Sequence, residues 1–239
     1  MESNKIVLVT GGSKNLGKYI ANFFLNLNCH VICVSKNTLS NLKSDNYLCD
    51  LSNKKKSQNF FNKLKKKYKK IDFIISCAGL SKRSFKAQEN QKDWQIAMNN
   101  NFYCFSNLVE SYCSVYKFKP TKIVAISSIA GGKITKAPIT YSVAKAALNF
   151  YAQIKAKDLA KYKIRLNIIM PGNILMENNN WYKKIKKDKK KIKKYIKSQV
   201  PLNEFCNPKQ IAEFCEYLFN SSGDNITGSK FIIDGGESL

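Results

Sequence analysis

Short apolar runs alternate with longer amphipathic stretches along the whole chain. Runs of consecutive apolar residues predict buried β-strands at residues 6–9, 31–34, 47–49, 73–76, 123–127, 165–170 and 230–233. Apolar residues that recur every three or four positions predict helices at residues 16–28, 54–68, 94–116, 141–160 and 209–219. Strands that are apolar on both faces and are joined by helices indicate an α/β fold, a doubly wound parallel sheet with helices on both sides.

A single domain accounts for this pattern. The 239 residues fit one large domain, and no linker rich in Pro, Gly and Ser divides residues 1–239. The first residues are polar and lead directly into a strand, so we expect no signal peptide. No apolar run approaches the roughly 20 residues that a membrane span needs. The sequence therefore predicts a cytoplasmic protein without a membrane partner.

Several residues with binding chemistry follow predicted strands, at the edge where a parallel sheet binds ligands. They are Gly11, Cys77, Ser128 and Pro171. Residues 10–17, which contain three glycines, also join the first strand to an amphipathic helix. Backbone N–H groups in a turn of this kind bind phosphate, so the turn predicts a nucleotide site.

A tyrosine and a lysine supply acid–base chemistry. Tyr141 and Lys145 are four residues apart in a predicted helix, and Ser128 lies thirteen residues before the tyrosine. The positive charge favours the ionised phenol on the same helix face, which makes the tyrosine a better proton donor. Such a pair by itself is also an ordinary contact between helix neighbours. Together with the glycine turn, on alternating strands and helices, it predicts a hydride-transfer site.

The formal net charge of +25 comes almost wholly from lysine. The lysines are spread over helix faces, and Lys, Asn and Ile are all abundant, which is typical of an AT-rich genome. A solvated lysine surface explains the charge, and attraction for acidic partners is the alternative. A nucleic-acid partner is disfavoured, because the basic residues are not interleaved with aromatic residues on one face.

The eight cysteines are predicted to be reduced and packed in the core. Most lie in apolar runs, and none forms a Cys-x-x-Cys pair. His30 is the only histidine, so we expect no zinc site and no other metal.

A series of motifs resembles the short-chain dehydrogenase/reductase family over essentially the whole chain. The motifs are residues 10–17, Cys49-Asp50, residues 76–79, Asn101, Ser128, Tyr141 with Lys145, Pro171-Gly172 and Asp234-Gly235-Gly236. The resemblance implies a Rossmann fold and an NAD(P)-dependent enzyme that interconverts a carbonyl and a secondary alcohol. It also implies a homotetramer or homodimer through the helices at 94–116 and 141–160.

The resemblance assigns catalytic roles. Tyr141 would protonate the carbonyl oxygen while hydride arrives from the nicotinamide, and Lys145 would assist the phenol and bind the nicotinamide ribose. Ser128 would hydrogen-bond the carbonyl oxygen and the developing oxyanion. Asn101 matches the family asparagine that holds a water molecule in the proton relay. Because Asn99 and Asn100 are adjacent, the match to Asn101 is open by one or two positions. The alternative is that Asn101 is an ordinary polar residue of a helix.

By the same resemblance, a set of residues would hold the cofactor. They are Gly11, Ser13, Lys14, Asn15, Leu16, Gly17, Lys36, Asp50, Ala78, Gly79, Tyr141, Lys145, Pro171, Gly172 and Ile174. Asp50 would contact the adenine. Lys36, at the end of the second strand, and Lys14 favour the 2′-phosphate of NADP, since the acid that would bind the NAD ribose is missing there. NAD is the alternative, because Lys36 could be one more exposed lysine.

Three positions depart from the family pattern. Asn15 replaces the middle glycine of the turn; asparagine tolerates positive φ, but its side chain could crowd the pyrophosphate. Residues 76–79 read Ser-Cys-Ala-Gly instead of Asn-Asn-Ala-Gly, which removes an amide that braces the sheet. Met176 stands where the family has a threonine that contacts the nicotinamide carboxamide.

Residues 173–200, here called the lid segment, interrupt the alternation after the sixth strand. They contain a lysine-rich helix with Trp181, Ile185, Ile192 and Ile196 along one side. A substrate lid is one interpretation, and a surface helix with an apolar stripe is the other. Residues 81–85, 133–138 and the lid segment are predicted to line the substrate pocket.

Within the family, residues 201–205, 208–212 and 226–236 are most similar to bacterial 3-oxoacyl-acyl-carrier-protein reductases. The predicted substrate is a small-molecule carbonyl compound, a 3-oxoacyl thioester, free or on an acyl carrier protein. Residues 171–175 with Trp181 resemble reductases of keto-sugars or nucleotide sugars in surface-polysaccharide synthesis, which is the alternative. A non-catalytic homologue that binds nucleotides or nucleic acid is the alternative from another class; it would predict damage to the catalytic residues, which are intact.

Overall fold

The computed structural model describes residues 5–80, 89–177 and 179–239. Within these residues, seven parallel strands form one sheet in the order β3-β2-β1-β4-β5-β6-β7. The strands are β1 Ile6–Thr10, β2 His30–Ser35, β3 Asp45–Leu48, β4 Phe73–Ser76, β5 Thr121–Ile126, β6 Ile164–Pro171 and β7 Lys230–Ile233. The helices are α1 Asn15–Asn26, α2 Lys54–Lys67, α3 Gln91–Met98, α4 Cys104–Tyr116, α5 Ile139–Ala160, α6 Asn180–Lys187, α7 Lys189–Gln199 and α8 Pro208–Phe219. The predicted doubly wound α/β fold is confirmed.

The core has two apolar layers, one on each face of the sheet. Alternate residues of a strand point to opposite faces, so Leu8 packs into one layer while Val7 and Val9 pack into the other. Helices α2, α4 and α5 cover the first face, and α1 and α8 cover the second. The unbroken apolar character of the strands follows from this burial on both sides.

Several predicted elements differ in detail from the structure. The long helix predicted at 94–116 begins at Gln91, because the Asn90 side chain accepts a hydrogen bond from the Asp93 N–H (2.9 Å) and caps it. A π-helical turn, Asn99–Tyr103, interrupts this helix between α3 and α4. The third strand ends one residue earlier than predicted, and Pro171 is the last residue of β6 instead of following it.

The lid segment holds two helices where the sequence predicted one. The chain breaks at Asp188, whose carboxylate accepts a hydrogen bond from the Lys191 N–H (2.8 Å) and caps α7. The predicted apolar side is present: Trp181, Ile185 and Ile196 pack against a small core of three buried residues. That core consists of Ile192, Val200 and Phe205.

All eight cysteines are unpaired thiols, and six of them are buried. Burial raises the pKa of the Cys206 thiol to about 12, with the Asp234 and Glu237 carboxylates acting in the same direction. No helix in the described ranges combines the length and the apolar character that crossing a membrane requires.

Lys122 on β5 ties the sheet to the end of α8. Its ammonium donates to the carbonyls of Phe219 (2.8 Å) and Asn220 (2.6 Å) and lies 2.7 Å from the Asp224 carboxylate. Last-turn carbonyls of a helix need such donors.

We expect Lys122→Met to lower the free energy of unfolding by about 2 kcal/mol, because the Phe219 carbonyl loses this donor. The Asn220 carbonyl keeps the Gly223 N–H (3.0 Å), and the Asp224 carboxylate keeps Arg165 (3.9 Å). Urea denaturation followed by circular dichroism measures the change. Lys230→Met, at an exposed position of β7, is the control and should shift the midpoint little. Equal midpoints for the two variants would contradict the assignment.

Candidate active site

A cavity of about 410 Å³ opens at the carboxyl ends of the strands. The predicted site residues that line it are Gly11, Ser13, Lys14, Asn15, Leu16, Gly17, Lys36, Asp50, Ala78, Gly79, Ser128, Tyr141, Lys145, Pro171, Gly172 and Ile174. The fold thus brings together residues separated by more than half of the chain. Asn101 alone among the predicted site residues does not line this cavity.

The turn between β1 and α1 leaves helix N–H groups available to a ligand. Lys14 occupies the N-cap position of α1, and no side chain caps the helix there. The first N–H groups of a helix have no partner within the helix, so an uncapped N-terminus facing a cavity suits a phosphate. Gly17 is required for the close turn, since a Cβ there would lie 2.3 Å from the Gly11 carbonyl oxygen. This cradle fits the pyrophosphate of a dinucleotide.

Asn15 adopts the left-handed conformation that the replaced glycine would take. Its φ is 48°, a region that asparagine enters more readily than most other residues with a side chain. The backbone of the turn therefore survives the substitution. The side chain lines the cavity beside the uncapped N-terminus.

The loops after β1 and β4 are braced by Thr10. Its hydroxyl accepts a hydrogen bond from the Ala78 N–H (3.0 Å). This bond links the turn between β1 and α1 to residues 76–79, where the sequence lacks the amide expected from the family. Burial raises the pKa of the neighbouring Cys77 thiol to about 12, so the thiol stays uncharged where it lines the cavity.

Lys145 is a buried cation at the base of the site. Its side chain is 3% exposed, and its ammonium donates to the Ile126 carbonyl at the end of β5 (2.9 Å). The same nitrogen lies 5.8 Å from the centre of the Tyr141 ring, one helical turn earlier on α5. The Ser128 hydroxyl lines the same cavity and accepts from the Ala130 N–H (3.2 Å), which starts a short 3₁₀ turn.

Asn101 lies behind the cavity, inside the π-helical turn. It is fully buried; its amide donates to the carbonyls of Leu80 and Ala97 (both 3.0 Å) and accepts from the Leu80 N–H (3.2 Å). A Cβ placed on Gly79 would lie 3.1 Å from the Asn101 oxygen and 3.3 Å from the Lys145 ammonium. Both polar groups therefore lie against one glycine. Asn99 and Asn100 line the cavity instead.

Lys36 and Asp50 form an ion pair at the far end of the cavity, with nitrogen and oxygen 2.8 Å apart. Burial opposes ionisation of Asp50, but hydrogen bonds from Lys36 and Ser52 outweigh it and hold the pKa of the carboxyl below its ordinary value. Both side chains are partly exposed, so the pair is screened by solvent. A ligand that reaches Lys36 meets this acid as well.

The segments that were predicted to line the substrate pocket differ in their position relative to this cavity. Ile174 lines the cavity, whereas Met176 packs against the apolar layer formed by α1 and α8. Residues 133–138 are not among the lining residues, and residues 81–85 lie outside the described residues.

Ser127 is among the lining residues that the sequence prediction missed. Ser127 directly follows β5, and its buried hydroxyl has no hydrogen-bond partner within the described parts of the chain. Buried hydroxyls are almost always paired, so this group suits a ligand. Its position directly before Ser128 was the signal available in the sequence.

Comparison with known proteins identifies related folds and sequences. A family model described as enoyl-(acyl carrier protein) reductase matches residues 14–238. A 3-oxoacyl-[acyl-carrier-protein] reductase of Thermotoga maritima is 25% identical over 244 aligned positions, which cover 97% of each chain. A short-chain dehydrogenase of Leptospira borgpetersenii with bound NAD⁺ is 25% identical, with a TM-score of 0.87 over 99% of this chain and 94% of that chain.

L-sorbose reductase of Gluconobacter frateurii, solved with NADPH and L-sorbose, also shares the fold. Its TM-score is 0.87 at 21% identity, over 98% of this chain and 96% of that chain.

We expect Asn15→Gly to tighten nicotinamide nucleotide binding about two- to fivefold, because it removes a side chain beside the phosphate cradle. Isothermal titration calorimetry with NADPH and NADH measures the Kd. Asn28→Gly is the matched control, since Asn28 also has positive φ (58°) but lies beyond the end of α1. Weaker binding by Asn15→Gly would show that the asparagine contributes a contact.

Proposed function

Because the chain belongs to the short-chain dehydrogenase/reductase family and is an NAD(P)-dependent oxidoreductase, we propose that it reduces the 3-oxo group of an acyl thioester with NADPH. The observation that carries the proposal is the arrangement of Ser128, Tyr141 and Lys145 around one cavity that also contains the phosphate cradle. The similarity of the Thermotoga maritima relative over nearly its full length supports the substrate class.

In the proposed mechanism, the protein positions the carbonyl and supplies the proton. A reduced nicotinamide held in this cavity would supply the hydride. The Tyr141 hydroxyl donates its proton to the carbonyl oxygen, and the Lys145 ammonium stabilises the phenolate that remains. The Ser128 hydroxyl hydrogen-bonds the same oxygen as negative charge develops on it. Asn101, held against Gly79 beside Lys145, is proposed to support the path by which the proton is restored.

NADP is the proposed cofactor, on the strength of the charges at the adenosine end. Lys14 and Lys36 both line the cavity there, and each can bind a phosphate as a point charge. Asp50 already pairs with Lys36, so a 2′-phosphate would have to share or displace that partner. The NADPH preference should therefore be moderate, and NAD(H) remains the alternative cofactor.

The lid segment supports an acidic carrier as the form in which the substrate arrives. Residues 180–199 carry ten lysines and one acidic residue, a density well above that of the rest of the chain. The Trp181 indole donates to the Asn173 side chain (2.8 Å), so α6 begins beside the cavity wall. A basic surface at this place would attract an acidic protein and steer it to the site.

The proposal includes a homodimer or homotetramer formed through α4 and α5. Leu148 is buried in the core, and the Tyr151 hydroxyl donates to Glu110 (3.0 Å). Phe150 is 68% exposed and Ile154 is 50% exposed on the same helix, and exposed apolar side chains of this size favour an interface.

The first test is NADPH oxidation with an acetoacetyl thioester. We expect turnover by the wild type, and we expect Tyr141→Phe to lower kcat by about 10²- to 10⁴-fold because the proton donor is lost. NADPH binding by the variant should weaken by no more than about tenfold, which corresponds to the loss of one hydrogen bond. Turnover with keto-sugars and none with the thioester would favour the alternative substrate class. Salt-sensitive DNA binding without any turnover would favour a non-catalytic homologue.

The second test concerns the nucleotide. We expect Lys36→Met to raise the Kd for NADPH about tenfold and to leave the Kd for NADH almost unchanged, because only NADPH carries the 2′-phosphate. Calorimetric titration of both nucleotides measures the effect, with Lys43→Met at an exposed position as control. Equal weakening for both nucleotides would assign Lys36 a structural role through Asp50.

A further inference from the structure

Asn173, between two residues of the cavity wall, has all of its polar groups hydrogen-bonded. Its N–H donates to Glu237 Oε2 (2.8 Å), and its side-chain amide donates to Glu237 Oε1. Its backbone carbonyl accepts from the Cys206 N–H (2.9 Å), and its side-chain oxygen accepts from the Trp181 indole (2.8 Å). One carboxylate thus fixes both the backbone and the side chain of this residue.

Glu237 belongs to a turn that contacts both ends of the lid segment. Residues 234–238, here called the Asp234 turn, are held by Asp234, whose carboxylate accepts from the Gly236 and Ser238 N–H groups (2.9 and 2.8 Å). The Gly235 carbonyl accepts from the Leu202 N–H (3.0 Å), just beyond α7. The start of the lid is therefore held by Glu237, and the chain beyond its end is held by the backbone of the same turn.

The contacts leave little room for movement. A Cβ on Gly172 would lie 2.8 Å from Glu237 Oε2, so the carboxylate packs directly against the cavity wall. Burial raises the pKa of the Glu237 carboxyl, and the negative charge of Asp234 raises it further. The hydrogen bond from the Asn173 N–H lowers this pKa in part. A carboxylate in so unfavourable a place is retained by the two donors of Asn173.

We propose that Glu237 is a positioning residue of the cofactor site, which acts by holding Asn173. Through Asn173 it fixes the cavity wall at Gly172 and Ile174, and it fixes the first turn of α6 at Trp181. The proposal rests on the proposed function only in taking a nicotinamide nucleotide as the ligand of this cavity. It requires no turnover and no particular carbonyl substrate.

The test exchanges donor and acceptor. Glu237→Gln puts an amide against the donors of Asn173, and Asn173→Asp puts a second carboxylate against Glu237, so each single change breaks the pair. The double variant with both changes restores it in reverse, because the new amide donates to the new carboxylate. Glu213→Gln, in an exposed pair with Lys209, is the control.

Two readouts separate positioning from general stability. In a Trp94→Phe background, Trp181 is the only tryptophan, because the chain has two, and its emission and acrylamide quenching report the hydrogen bond to Asn173. Calorimetry gives the Kd for NADPH and for NADH. We expect each single variant to change Trp181 emission and to raise both Kd values about fivefold. We expect the double variant to recover most of the wild-type emission and most of the wild-type affinity for both nucleotides.

Several outcomes would overturn the proposal. One is a lower melting temperature in the single variants with unchanged Trp181 emission and unchanged Kd, which would leave Glu237 a purely structural role. Another is altered emission without weaker nucleotide binding, which would disconnect Asn173 from the cofactor site. A double variant no better than the single variants would show that the pair does not act as a unit. Failure of thioester reduction would affect none of these measurements.

Discussion

The buried ammonium of Lys145 constrains the site more than any other group does. An ammonium taken out of water is costly, on the order of several kcal/mol, unless hydrogen bonds replace its hydration. The Ile126 carbonyl at the end of β5 provides one such bond, and Gly79 leaves space for the cation from the side of β4. Helix α5 can therefore pack only where β4 and β5 end together. That requirement also sets where the Tyr141 ring lies.

The sequence predicts most of this arrangement because the relevant signals are local. Apolar strands such as Ile6–Thr10 can be recognised without knowing their partners, and burial on both faces then implies a parallel sheet. Tyr141 and Lys145 share a helix face through spacing alone. The positive φ of Asn15 follows from the turn and from the tolerance of asparagine for that conformation.

The features that sequence reasoning missed depend on contacts between distant residues. The ion pair of Lys36 with Asp50 joins the ends of neighbouring strands, and neither residue indicates the other in the sequence. Within the π-helical turn at Asn99–Tyr103, Asn101 is buried and donates hydrogen bonds to Leu80 and Ala97. The break between α6 and α7 is different, since Asp188 is a good N-cap residue and could have been recognised.

In the described ranges, asparagine and lysine occupy most of the left-handed turn positions that lack glycine. Among the described residues, the positive-φ positions without glycine are Asn15, Asn28, Lys117, Phe118, Lys163 and Asn203. Asparagine and lysine have codons that begin with two adenines, whereas glycine codons begin with two guanines. A change from glycine to asparagine through aspartate passes only through residues that tolerate this conformation comparatively well. A glycine in a tight turn can thus be replaced by asparagine with the turn backbone preserved, whereas lysine at a positive-φ position costs a small amount of stability.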